Sequence, residues 1–538
     1  MCRRMFLRPL LLCLYALLLD RFTHLCPPPC QCFDGTKVFC SGGEIREIPE
    51  GLPGNATQIF FVETSLATIR NGTFNNSSLT TLVFLNNPKQ SLEAGVFGER
   101  SNLTELEVSG TPLSALSSEA FSSLPELRKL LFSFNGLRAL EPGLFNHMPL
   151  LEALHLQGNK IKALPPRIFY PLRELKTLDL SHNPITEVPE RLFHPLALLQ
   201  VLRLSNISLT RLSHGTFCNL PSLRELSLDR NALVDLPPGA FCKLTHLRRL
   251  HLQHNALKSL PRSIFSHLLN LDTLNLEGNR LSALPSDLFQ GTPKLSQLFV
   301  ASNLLETLPE GIFSNLAQVC TIVLSQNQLT HLPAGTFQGL SRLSTLRLDH
   351  NNLSALAGDA VYNLSSLRVL DLAGNRLQAL PEGIFDSTEY WLTVTLTDNP
   401  WACDCRLAYL AGWVQTWAMS MNSQAVCASP DHLKGWALPA LPLEQLVCLG
   451  KEGTALAPCT YSNAEGTVQL ACDPAACHQL TVRLPPQGDS SSQGLAHDSN
   501  WVLTSSCGTV RVRVAIRAEQ GGALREEVAL SHKIQSVP

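Results

Sequence analysis

The sequence predicts an α/β-type repeat solenoid, with short parallel strands stacked into one concave sheet, disulfide caps at both ends and a small β-rich module behind. Three observations point to this. The pattern LxxLxLxxN returns every 24 residues through most of the 538-residue chain. Cysteine clusters bracket the repeat, Cys26, Cys30, Cys32 and Cys40 in front and Cys403, Cys405, Cys427 and Cys448 behind. Beyond Cys448 the leucine period stops, although more cysteines follow.

In chain order, residues 1–25 open with Arg3, Arg4 and Arg8 and run into an apolar stretch from Leu10 to Leu19. A basic start before an apolar run too short to span a bilayer reads as a secretory signal peptide. Residues 26–55 form a cysteine-rich N-terminal cap. The repeats occupy 56–399: one irregular first coil using Ile59, Phe61 and Thr64, then fourteen full repeats. Their closing asparagine falls at Asn87, Asn135, Asn159, Asn183, Asn231, Asn255, Asn279, Asn303, Asn327, Asn351, Asn375 and Asn399, with Thr111 and Ile207 standing in at two steps.

Within each unit the xLxLx piece is expected as a strand, with leucines inward and the intervening residues outward at period two. The asparagine sits at the following turn. Once buried, its amide must bond neighbouring backbone, which stacked coils supply as a ladder, and Ile207 forfeits one rung. The second half of a unit, as in Leu308-Pro-Glu-Gly-Ile-Phe313, returns along the convex side and buries a phenylalanine. No coil buries both of its faces alone, so stability is a sum of stacking terms and the array needs caps.

Residues 400–448 make the C-terminal cap, and 449–538 a disulfide-stapled β-rich module holding Cys459, Cys472, Cys477 and Cys507. There 466–470, 480–484 and 510–514 alternate apolar with polar residues, as half-buried strands do, while 485–498 reads as a loop. Cys218 and Cys242 occupy equivalent positions of adjacent repeats, about 5 Å apart at strand spacing and so within disulfide reach. Two separate small convex side chains fit the sequence equally well. Of seventeen cysteines, Cys2 and Cys13 leave with the signal. The remaining odd count requires one free thiol or one intermolecular bond, and Cys320 has no visible partner.

Lys and Arg number 42 against 44 Asp and Glu, a net charge of −2, so no basic excess draws nucleic acid. The cysteine usage fits an oxidising compartment. There the sequons at Asn55, Asn71, Asn75, Asn76, Asn102, Asn206, Asn352 and Asn363 are acceptors for N-glycans, Asn75 and Asn76 overlapping. No later segment is apolar enough for a membrane span, and the tail from Arg525 lacks the stretch that directs a lipid anchor. A secreted, extracellular product is expected.

Catalytic signatures are missing from the sequence. No histidine stands in an HxxE or HExxH motif. His251 and His254 are three apart on a strand edge and its turn, and a solvated surface explains them. His254 and His350 lie four repeats apart, about 20 Å at strand spacing, too far to share an ion. No nucleophile elbow or glycine-rich phosphate loop occurs. Neither cofactor nor metal is expected, and the chain is not expected to be an enzyme. What remains is a surface. His155, Asp179 and Arg203 share one outward column and form either a charge ladder or merely a solvated face. Phe299 and Val323 occupy that column where water is expected, beside Asn275 and Arg347, and are the candidates for partner contact.

The two cysteine clusters resemble the flanking modules of extracellular leucine-rich-repeat proteins. That resemblance implies the pairs Cys26–Cys32, Cys30–Cys40, Cys403–Cys427 and Cys405–Cys448, where spacing alone leaves three connectivities per set. The stretches from Ile59 to Ser65 and from Cys459 to Cys472 are more specific, and with them the whole chain resembles the family of large, non-catalytic regulatory subunits of plasma carboxypeptidase N. The resemblance implies a leucine-rich-repeat horseshoe that binds the catalytic subunit, a zinc peptidase, in a hetero-oligomer, stabilises it and keeps it in circulation. The alternatives are a soluble pattern-recognition protein and a matrix-binding protein, both of which use capped arrays.

Overall fold

The computed structural model describes residues 26–446, apart from 76, 89–90, 94, 99–100, 362–363, 387–391 and 418–424, together with strands between 460 and 533. One compact unit holds the array up to Trp401 and residues 413–439; the other holds 402–412 and the chain from 440.

In the first unit, fifteen described coils each contribute one strand. The first three, Gln58–Val62, Thr81–Leu85 and Glu105–Ser109, have five residues, and those from Lys129–Leu131 to Thr393–Thr395 have three. Neighbours pair in parallel and in strict register, so that Leu154, Leu178 and Leu202 stand opposite one another. These central leucines are fully buried while their flanking residues face outward. The front edge is closed by a hairpin, Cys30–Phe33 antiparallel to Lys37–Ser41, whose second strand joins the parallel sheet beside Gln58–Val62. It buries Val38 and Cys40, and the bonds Cys26–Cys32 and Cys30–Cys40 pin it. The edge is thereby moved to the four-residue strand Cys30–Phe33, and a short edge strand pinned by disulfides is a poor template for another chain.

At the far end Trp401 is fully buried and its indole N–H donates to the Leu396 carbonyl at 2.9 Å. The Phe385 ring meets Trp413 at 4.5 Å. Cys403, Cys405 and Cys427 are disulfide-bonded. Cys448, Cys459, Cys472, Cys477 and Cys507 lie outside the described residues.

The asparagine ladder locks one coil to the next. The Asn279 amide donates to Leu252 O and Leu276 O, both at 3.0 Å, and its oxygen accepts from Leu257 N–H at 3.2 Å. The same three bonds, 27, 3 and 22 residues away, recur from Asn159 to Asn399 wherever the asparagine is present. Thr111 keeps part of the arrangement by donating its N–H and hydroxyl to Asn135 Oδ1, each at 2.8 Å. Ile207 offers no amide, and Ile185 N–H turns instead to Asn183 O at 2.8 Å, a local bond in place of the missing rung.

On the convex side the phenylalanines stack into a spine, with centroids 6.1–6.5 Å apart from Phe145 through Phe265 and 5.8–6.0 Å from Phe289 to Phe337. Strands in a sheet lie about 4.8 Å apart. A wider spacing outside than inside bends the array, with the sheet on its concave face. Cys218 and Cys242 are bonded across this convex side, with Cα atoms 5.1 Å apart.

Each turn also carries a left-handed residue just before the asparagine position: Phe134 (φ 55°), His254 (φ 56°) and Gln326 (φ 55°) among side-chain residues, Gly158 and Gly278 among glycines. Side chains there cost roughly 1 kcal/mol apiece. The glycines have a second reason. A Cβ on Gly158 would stand 2.4 Å from Phe134 Cδ1, and one on Gly278 2.4 Å from His254 Nδ1, because each preceding side chain leans over the next coil.

In the second unit, Thr460–Ala464, Thr467–Ala471 and Leu480–Arg483 form one antiparallel sheet, and Asp498–Ser505, Gly508–Ala518 and Leu524–Lys533 another. Alternation in the sequence marked three of these six strands. Asp498, expected as the last residue of a loop, pairs with Ala515 in a strand, and the rest of that expected loop lies outside the described residues.

Removing one rung should be costly. Asn279→Ala strands the buried Leu257 N–H and takes one of two donors from each of Leu252 O and Leu276 O, which keep Asn255 and Asn303; at about 1–3 kcal/mol for the stranded donor the urea midpoint should report a loss of about 2 kcal/mol, and no measurable loss would mean the ladder is not what locks the coils. The Cys218→Ser/Cys242→Ser double variant frees a 24-residue link, so the same assay should show a further loss of about 3 kcal/mol. Two alkylatable thiols at these positions in the unmodified protein would overturn that bond.

Candidate functional site

Because the register is strict, the outward residues of the concave sheet form columns at strand spacing, and chemistry runs along them. In the first half these columns are cross-linked by charge. Glu152 accepts from Arg128 at 2.8 Å and from Lys176 at 2.5 Å, across three consecutive coils. Those two hydrogen bonds hold its carboxyl below the usual carboxylate range. Glu225 accepts from Arg203 at 2.9 Å and Arg249 at 2.5 Å. Burial alone would raise the Glu225 pKa, but the two guanidiniums outweigh it and the carboxyl titrates below its ordinary value.

His155, Asp179 and Arg203 do stand side by side in register. They do not form a simple ladder of charge pairs. Asp179 is 7% exposed and its carboxylate accepts from the Ser181 N–H at 3.0 Å, while Arg203 turns to Glu225 on the next strand. A short carboxylate reaches its own turn more easily than the neighbouring strand, whereas the long Glu225 side chain reaches across. Sequence reading missed Glu225, Arg249, Arg128, Glu152 and Lys176. Their signal was present as opposite charges recurring 24 residues apart in adjacent columns.

Past Arg249 and Asp272 the concave face changes character. The outward residues Thr273, Asn275, Gln297, Phe299, Thr321, Val323 and Thr345 are uncharged, as are Ser296, Cys320 and Ser344 beside them. Asn275, Phe299, Val323 and Arg347 are adjacent in register. Phe299 and Val323 are half-buried and stand opposite each other on neighbouring strands. Asn275 is tied locally, its oxygen accepting from Glu277 N–H at 2.9 Å. Charge returns at Arg347, which pairs with Asp371 at 3.1 Å and Asp349 at 3.5 Å. A neutral window with an apolar centre, rimmed by ion pairs, has the composition of an interface core. Among the described residues Cys320 is the free thiol, half-buried at this window, its S–H directed at Gln318 O at 3.5 Å.

Of the sequons, Asn55, Asn71, Asn75, Asn102 and Asn206 are exposed and Asn352 is half-buried; Asn76 and Asn363 lie outside the described residues. Among the described residues no group of three or more His, Cys, Asp or Glu side chains is arranged to hold a metal ion, and no helix is long and apolar enough to cross a membrane.

The period, the ladder and the single concave sheet define a repeat protein, and the family profile described as leucine rich repeat matches overlapping stretches from residue 101 to 389, more than half of the chain. The protein belongs to the leucine-rich-repeat family. Within it, the chain is similar to human carboxypeptidase N subunit 2, 45% identical over 157 residues, and to the mouse protein of that name, 42% identical over 170 residues. The matched stretches make up 24% and 26% of this chain and span 28% and 31% of those relatives. Among solved structures, the LRIM1/APL1C complex contains a chain with the same fold, at a TM-score of 0.55 and 21% identity, covering 72% of this chain and 66% of that one.

Two imidazoles on the concave face give a pH dependence. Burial pushes His155 and His251 below the ordinary 6.5, and nearby arginines add to it against the pull of Asp179 and Glu225. The unfolded chain therefore binds more protons at these rings than the folded one near and below pH 6.5, and their contribution to stability is full above that pH and lost as pH falls through it. The urea midpoint should fall between pH 7.5 and pH 5.5, and the His155→Gln/His251→Gln variant should fall less steeply. Identical slopes would remove these rings as the cause.

Proposed function

We propose that this chain is a secreted, non-catalytic scaffold that binds the catalytic subunit of a zinc carboxypeptidase and stabilises it in circulation, docking it on the neutral window around Phe299 and Val323. The observation that carries the reading is that the strands Thr273–Asn275, Gln297–Phe299 and Thr321–Val323 carry no charge, on a face otherwise laced with ion pairs. Desolvating uncharged side chains costs little, and an aromatic residue beside an aliphatic one at the centre gives a partner its anchor. Flanking pairs such as Arg347–Asp371 serve orientation more than affinity. The similarity to carboxypeptidase N subunit 2 supports the identity of the partner. The rigid register supports the role, since a preorganised surface loses little freedom on binding.

A scaffold that binds the native partner and not its unfolded form stabilises it by mass action, about 2.7 kcal/mol at a hundredfold excess over Kd. Co-secretion with the catalytic subunit should therefore yield a stable complex and slow the thermal inactivation of the peptidase. The Phe299→Glu/Val323→Glu variant should be secreted at normal levels but bind at least about tenfold more weakly, having placed two charges in a desolvated contact. Unchanged affinity would remove the window as the docking surface. Failure of the unmodified chain to bind any carboxypeptidase would return the choice to a pattern-recognition or matrix-binding protein.

A further inference from the structure

A cleft of about 680 Å³ opens at the turn side of the first half of the array, with Phe134, Gln157, Asp179, Arg203, Asp229 and Arg230 in its walls. Its two aspartates and two arginines cancel, so it attracts neither anion nor cation. It offers donors and acceptors together. Asp229 accepts from the Ser205 hydroxyl at 2.5 Å and Ser181 Oγ accepts from Ser205 N–H at 3.3 Å, which leaves the second carboxylate oxygens and the Ser181 hydroxyl hydrogen available. Gln157 Oε1 is buried with no partner at all, a cost that any donor entering the cleft removes. At one end stands Phe134, 62% exposed and left-handed at φ 55°, an aromatic residue held in a conformation that disfavours bulky side chains.

Neutral, donor-and-acceptor walls with one exposed aromatic ring suit a sugar. Its hydroxyls both donate and accept, and its polarised C–H bonds face the electron-rich side of the ring. The sugar has a source in the cleft itself. Asn206 begins the sequon Asn206-Ile207-Ser208. Its Nδ2, the atom that carries an N-glycan, points back at His182 Nδ1, 3.0 Å away, and so towards Phe134. Phe134 leans the opposite way, over Gly158. The two residues occupy the same turn position three coils apart, about 14 Å at strand spacing, and aim at each other along the cleft.

We propose that the N-glycan on Asn206 folds back along this cleft and stacks on Phe134, covering this margin of the array and leaving the neutral window as the open face. Glycosylation replaces one of the two Nδ2 hydrogens and leaves the other beside His182 Nδ1. The inference rests on the export assumed in the proposed function.

The test uses the full chain secreted from mammalian cells, with glycopeptides mapped by mass and with native digestion by peptide:N-glycosidase followed site by site. Asn206 should be modified, and its glycan should be released up to about tenfold more slowly than glycan at exposed Asn55 or Asn102, the scale of one aromatic contact. Phe134→Gly, which suits the left-handed backbone and so should preserve the fold, should abolish that protection and leave the other sites unchanged. Asn206 unmodified while other sequons carry glycan, or released as fast as Asn55 with and without Phe134, would overturn this proposal alone. A secreted chain without glycan at any sequon, or no secreted chain, would overturn it together with the reading of export beneath it.

Discussion

The constraint on which the rest depends is the reach of a buried asparagine amide. Each one must satisfy carbonyls 27 and 3 residues behind it and an N–H 22 residues behind, in two different coils. The bonds can be made only if every coil has the same length and stacks in register, so the 24-residue period follows from hydrogen-bond geometry inside a solvent-free core. An insertion within the strand or the turn would strand polar groups where water cannot reach them. Insertions on the convex side face no such constraint.

From that register follows the surface. Once leucines stack on leucines, outward residues stand beside their equivalents at a fixed spacing, and the concave face is a set of columns whose composition varies along the chain. Arg128, Glu152 and Lys176 become one cross-strand network, as do Arg203, Glu225 and Arg249. Exposed pairs of this kind contribute little to stability. Their consequence is to mark off a stretch that lacks them, around Phe299 and Val323, where the strands present no charged side chain.

The turns impose a second pattern at right angles to the strands. A left-handed residue stands before each asparagine, and where the next coil offers a glycine the side chain leans over it, as Phe134 does over Gly158 and His254 over Gly278, whereas His182 and Arg230 are followed by Asn206 and His254. The same row brings Phe134 and Asn206 into one cleft. Concave strands and turn margin are thus two surfaces with different chemistry, generated by one period.

By itself the sequence determined whatever depends on spacing: the coil length, the inward leucines, the asparagine ladder with its gap at Ile207, the caps, and the outward column that holds Phe299 and Val323. These are legible because the backbone repeats, and a residue's place in the period fixes its direction. Only the tertiary structure decided how far each side chain reaches and which of several neighbours it chooses. Asp179 stands beside Arg203 in register, yet its short carboxylate caps the Ser181 N–H while Arg203 takes the longer Glu225. The bond between Cys218 and Cys242 and the leaning ring of Phe134 belong to the same class. Column position is a property of the chain, whereas the partner within a column is set by side-chain length, rotamer and competition among adjacent groups.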